Sequence, residues 1–137
     1  MDLWSERAEN LLVMTMAHES NGGYYLDQDS GPAIGVYQME EATFNDIWRR
    51  YLFGRPELEA KIMSACNLHH IPDAGEMAGN LYLATAMARV FYCRVYTKIP
   101  DDLQEMAQYC KKYWNTEEGK ATADQYYGAY LKFTAKK

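Results

Sequence analysis

The chain has 137 residues, of which 48% are hydrophobic and 24% are charged, and its formal net charge is −5. This size and composition predict a single globular domain, residues 1–137, that buries a core without disulfides or metal ions. The acidic balance disfavours non-specific binding to nucleic acid or to anionic membranes, because both depend on clustered Lys and Arg. No apolar run is long enough for membrane insertion, and MDLWSERAEN lacks the basic and apolar regions of a secretory signal, so we expect neither feature.

The first predicted helix runs from about Ser5 to His18, because apolar residues recur on one face at spacings of three and four. Residues 20–39 lack this period and contain four glycines and a proline, which predicts a loop and a short β-hairpin near residues 24–39. The predicted fold is therefore mainly α, of the α+β type, with about six helices. The later helices are expected to begin near Thr43, Pro56, Ala74, Pro100 and Thr122.

Two of the later helices carry additional signals. The segment from about Ala74 to Thr97 has the longest apolar stripe, so we predict that it is the longest helix and the centre of the core. Thr122 stands three residues before Gln125, a spacing typical of a capping box at a helix start.

The cysteines do not indicate a disulfide framework. Cys66, Cys93 and Cys110 are odd in number and widely spaced, which favours folding in a reducing compartment. Cys66 is followed by His69 and His70, but no second ligand pair follows at zinc spacing. We therefore predict no metal site.

Glu19 is the candidate catalytic residue. It follows Thr15 by four residues and Leu11 by eight, so it projects from the inward face of the first helix. Partial burial and the negative end of the helix dipole both raise the pKa of a carboxyl group there. A carboxyl kept protonated near neutral pH is suited to general acid catalysis. A solvated glutamate at a helix end is the alternative that this helix alone leaves open.

Four blocks of sequence extend this hypothesis. HES at 18–20 and SGPAIGVYQMEEAT at 30–43 resemble the motif of SLT-type lytic transglycosylases, the family related to goose-type lysozyme. MAQYCKKYWNTEEGKAT at 106–122 and DQYYGAYL at 124–131 are similar to that family's later segments, especially in short bacteriophage versions. Val36 and Tyr37 replace the family's Leu-Met, and the loop between Glu19 and Gln38 is one residue longer than the usual pattern. The family's acidic residue before the last helix would fall near Ala121.

The resemblance implies a lysozyme-like fold, and it implies cleavage of the β-1,4 bond between N-acetylmuramic acid and N-acetylglucosamine in peptidoglycan. Glu19 would protonate the leaving oxygen and then deprotonate the muramic C6 hydroxyl, which closes a 1,6-anhydro ring. No cofactor is implied. Tyr109 and Tyr113 are alternatives for the family's cleft tyrosine, and Ser20 is expected to steady the turn after Glu19. The substrate-binding residues that the resemblance implies are Ser20, Ser30, Gly35, Tyr37, Gln38, Met39, Tyr109, Tyr113 and Asn115.

Two other functions stay open at this stage. Asp27 or Asp29 would hold a water molecule opposite Glu19 in an inverting lysozyme-type hydrolase. A structural virion protein would keep the same fold without turnover. The expected setting is a bacteriophage muralytic protein, either an endolysin or a virion component bound to other virion or tail proteins. It would reside in the virion or the host cytoplasm before delivery, and its partner would be the glycan strands of periplasmic peptidoglycan.

Overall fold

The computed structural model describes residues 3–23 and 33–135 of the chain. Within these residues, the α-helices and one small antiparallel sheet confirm the predicted mainly α, α+β fold. Two π-helices, Ile47–Leu52 and Lys111–Asn115, directly continue the α-helices Glu41–Asp46 and Leu103–Cys110, and a 3₁₀ helix, Ala74–Ala78, precedes the α-helix Leu81–Cys93. The other elements are α1 Glu6–Ser20, β1 Ala33–Ile34, β2 Met39–Glu40, α2 Glu41–Asp46, α3 Pro56–Ala65, α4 Leu81–Cys93, α5 Leu103–Cys110 and α6 Ala123–Thr134.

The prediction of one long helix from Ala74 to Thr97 is wrong. Asn80 has an extended backbone, and its side chain accepts a hydrogen bond of 3.1 Å from the amide of Leu83, so it caps a new helix after the 3₁₀ segment. The resulting α4 has 13 residues, and the 15-residue α1 is longer. Leu81, a residue of the apolar stripe that was predicted to face the core, is 57% exposed. Along residues 3–23 and 33–135, no helix has both the length and the apolar character needed to cross a membrane.

Both ends of α1 and the start of α6 follow local rules. Ser5 caps α1 by accepting a hydrogen bond from the amide of Ala8, and Asn21 ends the helix in the left-handed conformation with φ of 53°. The capping box predicted at the start of α6 is confirmed, because the side chains of Thr122 and Gln125 each accept a hydrogen bond from the other's amide.

Among the described residues, the core consists of two clusters that meet near α4. The first packs α2, α3, α4 and the first π-helix, and Phe44, Ile47 and Met87 are essentially inaccessible there. The second packs α1, α5 and α6. Each fully buried large apolar side chain contributes roughly 1.5–3 kcal/mol. Phe91 and Trp114 pack against both clusters, so their rings lie at the boundary between the two halves of the core.

The hairpin that was predicted from the glycines is confirmed for residues 33–40. Ala33 pairs with Glu40 and Ile34 with Met39, and the four-residue turn between the strands begins at Gly35. Gly35 has φ of 78°, and a Cβ there would lie 2.9 Å from the carbonyl oxygen of Met77. A side chain therefore does not fit at this position, and the glycine allows the hairpin to pack on the 3₁₀ helix.

The three cysteines are free thiols. Cys110 is buried beneath α1, and burial raises its pKa to about 11, so its thiol is protonated at neutral pH. Within the described ranges, no group of three or more His, Cys, Asp or Glu side chains is arranged to hold a metal ion.

Candidate active site

A cleft of about 530 Å³ opens beside the C-terminal end of α1. Glu19 lies on its α1 side, next to Ala33, Gln38 and Met39 of the hairpin. The turn between β1 and β2 reverses the chain over only four residues. It therefore places Gln38 and Met39 beside the C-terminal end of α1. Glu19 and two of the predicted substrate-binding residues therefore share one side of the cleft.

The opposite side of the cleft is formed by the second π-helix and the loop that follows it. Trp114 and Asn115 line it, together with Thr116 and Gly119. The ammonium group of Lys111 donates hydrogen bonds of 2.8 Å to Asn115 Oδ1 and to the carbonyl oxygens of Thr116 and Gly119. Hydrogen bonds from a charged donor are among the stronger ones, so Lys111 holds this wall in shape.

Glu19 is a partly buried carboxyl group of the cleft. Its Oε1 accepts a hydrogen bond of 2.6 Å from the hydroxyl of Tyr126 on α6. Burial raises the pKa of Glu19, and the hydrogen bond from Tyr126 acts in the opposite direction with a smaller effect. The raised pKa predicted from the helix face is thus confirmed, with desolvation as its main cause.

Tyr126 is held in place by burial and by a ring contact. It is fully buried, and its ring centroid lies 4.1 Å from that of His18. Burial and the negative charge of Glu19 both raise the pKa of the Tyr126 hydroxyl, so it stays a donor at any physiological pH. No local sequence pattern indicates this contact, because Tyr126 and Glu19 are 107 positions apart in the chain.

Gln38 is positioned by an unusual backbone conformation. Its φ is 53°, and its side-chain nitrogen donates a hydrogen bond of 2.8 Å to the carbonyl oxygen of Gly35. Gln38 is 9% exposed, and it lines the cleft from within the turn. Gly35 itself supports the turn and does not line the cleft.

Several residues predicted to bind substrate lie elsewhere. Ser20 is completely buried, and its hydroxyl donates to the carbonyl of Met16 and accepts from the amide of Gly23, so it steadies the turn after α1. Tyr37 points away from the cleft and shares a hydrogen bond of 3.2 Å with Thr85. Ser30 lies outside the described residues.

The two tyrosines proposed as alternatives for the cleft are both held by Thr97. Tyr109 donates its hydroxyl hydrogen to the Thr97 carbonyl at 3.0 Å, and Tyr113 is hydrogen-bonded to the Thr97 hydroxyl at 3.0 Å. Neither ring lines the cleft. The neighbouring Trp114 takes that place, since the π-helix widens the turn that carries residues 111–115.

The cleft also contains residues that the sequence did not suggest as ligands. The rings of Phe91 and Trp114 pack edge to face with centroids 4.7 Å apart. Glu40 and Glu118 bring two further carboxyl groups to the rim, and both residues are exposed. Asp27 and Asp29, the predicted water-holding residues, lie outside the described part of the chain. No local pattern distinguishes Glu40 or Glu118 from an ordinary surface glutamate.

No family model, curated protein or solved structure matches this chain. The chemistry of the cleft therefore has to follow from its own residues. They comprise one partly buried carboxyl with a raised pKa, a tyrosine donor fixed on it, side-chain amides and two aromatic rings. This arrangement is suited to proton transfer on a neutral polar ligand such as a sugar.

Proposed function

We propose that the chain is a lytic transglycosylase that cleaves the β-1,4 bond between N-acetylmuramic acid and N-acetylglucosamine in peptidoglycan. The observation that carries this proposal is the carboxyl group of Glu19, which has a raised pKa and opens into a cleft of about 530 Å³. This volume lies within the range of roughly 300–1,000 Å³ that is typical of ligand-binding clefts. The sequence resemblance supplies the substrate class, and the geometry supports the acid chemistry.

In the first step, protonated Glu19 donates its proton to the glycosidic oxygen of the leaving N-acetylglucosamine. The bond between this oxygen and the muramic anomeric carbon breaks, and the substrate's own acetamido group stabilises the positive charge that develops. Glu19 becomes a carboxylate, which the hydroxyl of Tyr126 stabilises through its hydrogen bond of 2.6 Å.

In the second step, the Glu19 carboxylate accepts the proton of the muramic C6 hydroxyl. The C6 oxygen forms a bond to the anomeric carbon and closes the 1,6-anhydro ring, so no water is consumed. Glu19 is then protonated again and ready for another cycle. One carboxyl group acts in turn as acid and base, and the reaction needs no cofactor.

The walls of the cleft support sugar binding. Phe91 and Trp114 offer apolar ring surface to the faces of sugar rings. The side-chain oxygen of Asn115 accepts a hydrogen bond from Lys111. The amide N–H groups of Asn115 can therefore donate to sugar or acetamido oxygens. Gln38 and Met39 flank Glu19 on the other side.

A hydrolase with the same acid is the second candidate. Glu40 and Glu118 lie in the same cleft as Glu19, so either carboxylate is a candidate to hold water on the opposite face of the sugar. Asp27 and Asp29 have the same role in the sequence-based version of this hypothesis. An inverting hydrolase would release reducing muramic ends.

The proposed setting is that of a bacteriophage muralytic protein, as the resemblance to short phage enzymes implies. The net charge of −5 favours a virion component over a freely diffusing endolysin, because attachment to a particle supplies the local concentration that charge attraction to an acidic wall does not. The partners in this proposal are peptidoglycan glycan strands and other virion or tail proteins. A structural virion protein without turnover is the remaining alternative.

Mass spectrometry of muropeptides released in isotopically labelled water tests these functions together. We expect anhydro-muramic ends without label, and no products from the Glu19→Gln variant. Labelled reducing ends would replace the proposal with the hydrolase. If folded wild-type protein releases nothing, both enzymatic functions are overturned and the structural alternative is favoured.

A further inference from the structure

A second pocket, of about 380 Å³, collects positive charge on a protein that is acidic overall. Three of the six arginines in the sequence, Arg50, Arg55 and Arg94, line it, and Asp46 is the one carboxylate among its lining residues in the described part of the chain. Positive charge is therefore in excess inside the pocket. Because guanidinium groups stay protonated at every physiological pH, this excess is permanent.

Asp46 orders two of the three guanidinium groups. Its Oδ2 accepts a hydrogen bond of 3.1 Å from Arg94, and its Oδ1 lies 3.5 Å from a terminal nitrogen of Arg50. One carboxylate thus bridges two arginines and points both toward the same space. Each guanidinium group has five N–H donors in a planar fork, so one shared carboxylate leaves most of these donors available to a ligand.

Arg55 is ordered by an aromatic ring instead. The central carbon of its guanidinium group lies 3.8 Å from the ring centroid of Tyr51, and one terminal nitrogen donates a hydrogen bond of 3.0 Å to the Tyr51 carbonyl. A stacked guanidinium keeps its in-plane N–H edge free to bind a carboxylate or phosphate in a bidentate manner. Holding the side chain in advance also lowers the entropy cost of binding.

The pocket lies about one helical turn from the active-site cleft. On α2, Thr43 lines the cleft and Asp46 lines the pocket. On α4, Phe91 lines the cleft, and Arg94, directly after the helix, lines the pocket with its guanidinium 5.5 Å from the Phe91 ring. Residues three apart on a helix lie on the same side and roughly 5 Å apart along the axis. The arginines therefore lie within reach of a polymer that extends from the cleft along these helices.

We propose that this pocket binds an oxyanion, a carboxylate or a phosphate, carried by the same polymer whose glycan strand occupies the cleft. The claim that the anion belongs to the glycan polymer rests on the proposed function. The claim that the pocket binds an oxyanion does not. The two sources are the carboxylates of the peptide stems and phosphate groups attached to the strand. The arginines would fix the strand relative to Glu19.

The first experiment titrates inorganic phosphate into the full chain and follows the arginine side-chain N–H signals by nuclear magnetic resonance. We expect the shifts to concentrate on Arg50, Arg55 and Arg94, and the Arg50→Gln/Arg55→Gln double variant to bind phosphate about tenfold more weakly. Arg49→Gln is the matched control, because Arg49 is the exposed neighbour of Arg50 and does not line the pocket. Shifts spread over all arginines, or an equal loss in the control, would overturn the anion site.

The second experiment measures cleavage of three substrates by the wild type and the double variant. The substrates are intact peptidoglycan, glycan strands stripped of peptides, and strands stripped of phosphate. We expect the double variant to raise KM about tenfold on intact peptidoglycan with kcat unchanged, because the pocket binds outside the reacting bond. The difference in KM between the wild type and the double variant should disappear on the substrate that lacks the recognised anion. The substrate on which it disappears shows whether that anion is a peptide carboxylate or a phosphate.

The two experiments fail separately. If the KM of the wild type stays below that of the double variant after the peptides and the phosphate groups have both been removed, the anion is not carried by the substrate strand. If the wild type cleaves nothing but phosphate still binds at the three arginines, the proposed function fails and the anion site stands. If cleavage proceeds and phosphate does not bind there, the anion site fails and the proposed function stands.

Discussion

The cleft around Glu19 and the arginine pocket lie side by side but handle charge in opposite ways. Glu19 is partly buried, and burial raises its pKa, so its charge depends on its surroundings. Arg50 and Arg94 keep their charge and remain open to solvent, with side chains 85% and 30% exposed. Burial shifts the pKa of a carboxyl group, which exists in a neutral and a charged form. An arginine stays charged, so its guanidinium group has to remain near water or near a partner. The first environment suits proton transfer and the second suits recognition.

Each of the two pockets nevertheless receives side chains from a π-helix. The π-helix Ile47–Leu52 carries Arg50 and Tyr51 into the arginine pocket, and the π-helix Lys111–Asn115 carries Trp114 and Asn115 into the cleft. A π-helical turn is wider than an α-helical one and changes the direction of the side chains, which is a common feature of functional sites.

The largest expected effect comes from Glu19→Gln, which should lower the rate of muropeptide release about a thousandfold or more, since it removes both the acid and the base. The amide still accepts the Tyr126 hydrogen bond, so circular dichroism should show a folded protein. Glu118→Gln is the control, because Glu118 is an exposed carboxyl in the same cleft, and it should keep most of the activity. Equal losses in the two variants would contradict a mechanism that depends on one carboxyl.

Gly35→Ala tests the hairpin that brings Gln38 and Met39 to the cleft. We expect the free energy of unfolding to fall by about 1–3 kcal/mol, because alanine is strained at φ of 78° and its Cβ meets the Met77 carbonyl. Chemical denaturation measures this change. The matched control is Gly128→Ala within α6, where a Cβ meets nothing within 4 Å and should stabilise the helix by roughly 0.5–1 kcal/mol. Equal effects at the two glycines would rule out a role for the backbone conformation of Gly35.

Tyr126→Phe sharpens the contrast by changing only the partner of Glu19. The Tyr126 hydroxyl stabilises the Glu19 carboxylate, so its loss should raise the pKa of Glu19 further. Glu19 then stays protonated to higher pH, and the descending limb of the activity profile should move toward alkaline pH. We also expect kcat to fall about tenfold, since the carboxylate formed in the first step loses a hydrogen bond. A limb that moves toward acid pH would contradict this role for Tyr126.

Glu19 should also make the stability of the protein depend on pH. Its pKa in the folded state lies above the ordinary value of 4.5, so the folded chain binds its proton more tightly than the unfolded chain. The stabilising contribution is complete below the unfolded pKa and is lost as pH rises through the folded pKa. Denaturation midpoints compared between wild type and Glu19→Gln should therefore diverge with rising pH, in favour of the variant. A difference that stays constant with pH would show that burial does not act on this group.

The smallest effect is expected for Arg50→Gln on stability. The Arg50 side chain is 85% exposed, and its pairing with Asp46 is an exposed helix pair, so the free energy of unfolding should change by less than about 0.5 kcal/mol. Thermal unfolding measures this change. A large loss would mean that the arginine pocket serves folding, and the contrast with the cleft would disappear.

Much of the architecture follows from local sequence. The apolar spacing of α1 places Glu19 on the inward face, and the glycines near residue 35 predict the hairpin beside it. The capping box at Thr122 marks the start of α6. These signals are readable because helix period, caps and turns depend on residues within about four positions of each other. The one large error, the uninterrupted helix from Ala74, arose because Asn80 caps a new helix inside a continuous apolar stripe.

The sequence by itself predicts a carboxyl with a raised pKa beside a hairpin and leaves a solvated glutamate as the alternative. Only the tertiary structure decided that Tyr126 holds this carboxyl, that Trp114 and not Tyr109 or Tyr113 lines the cleft, and that three arginines share a second pocket. These relations join residues that are far apart in the chain, and the packing of helices against each other sets them. Local periodicity carries no information on which distant side chains will meet.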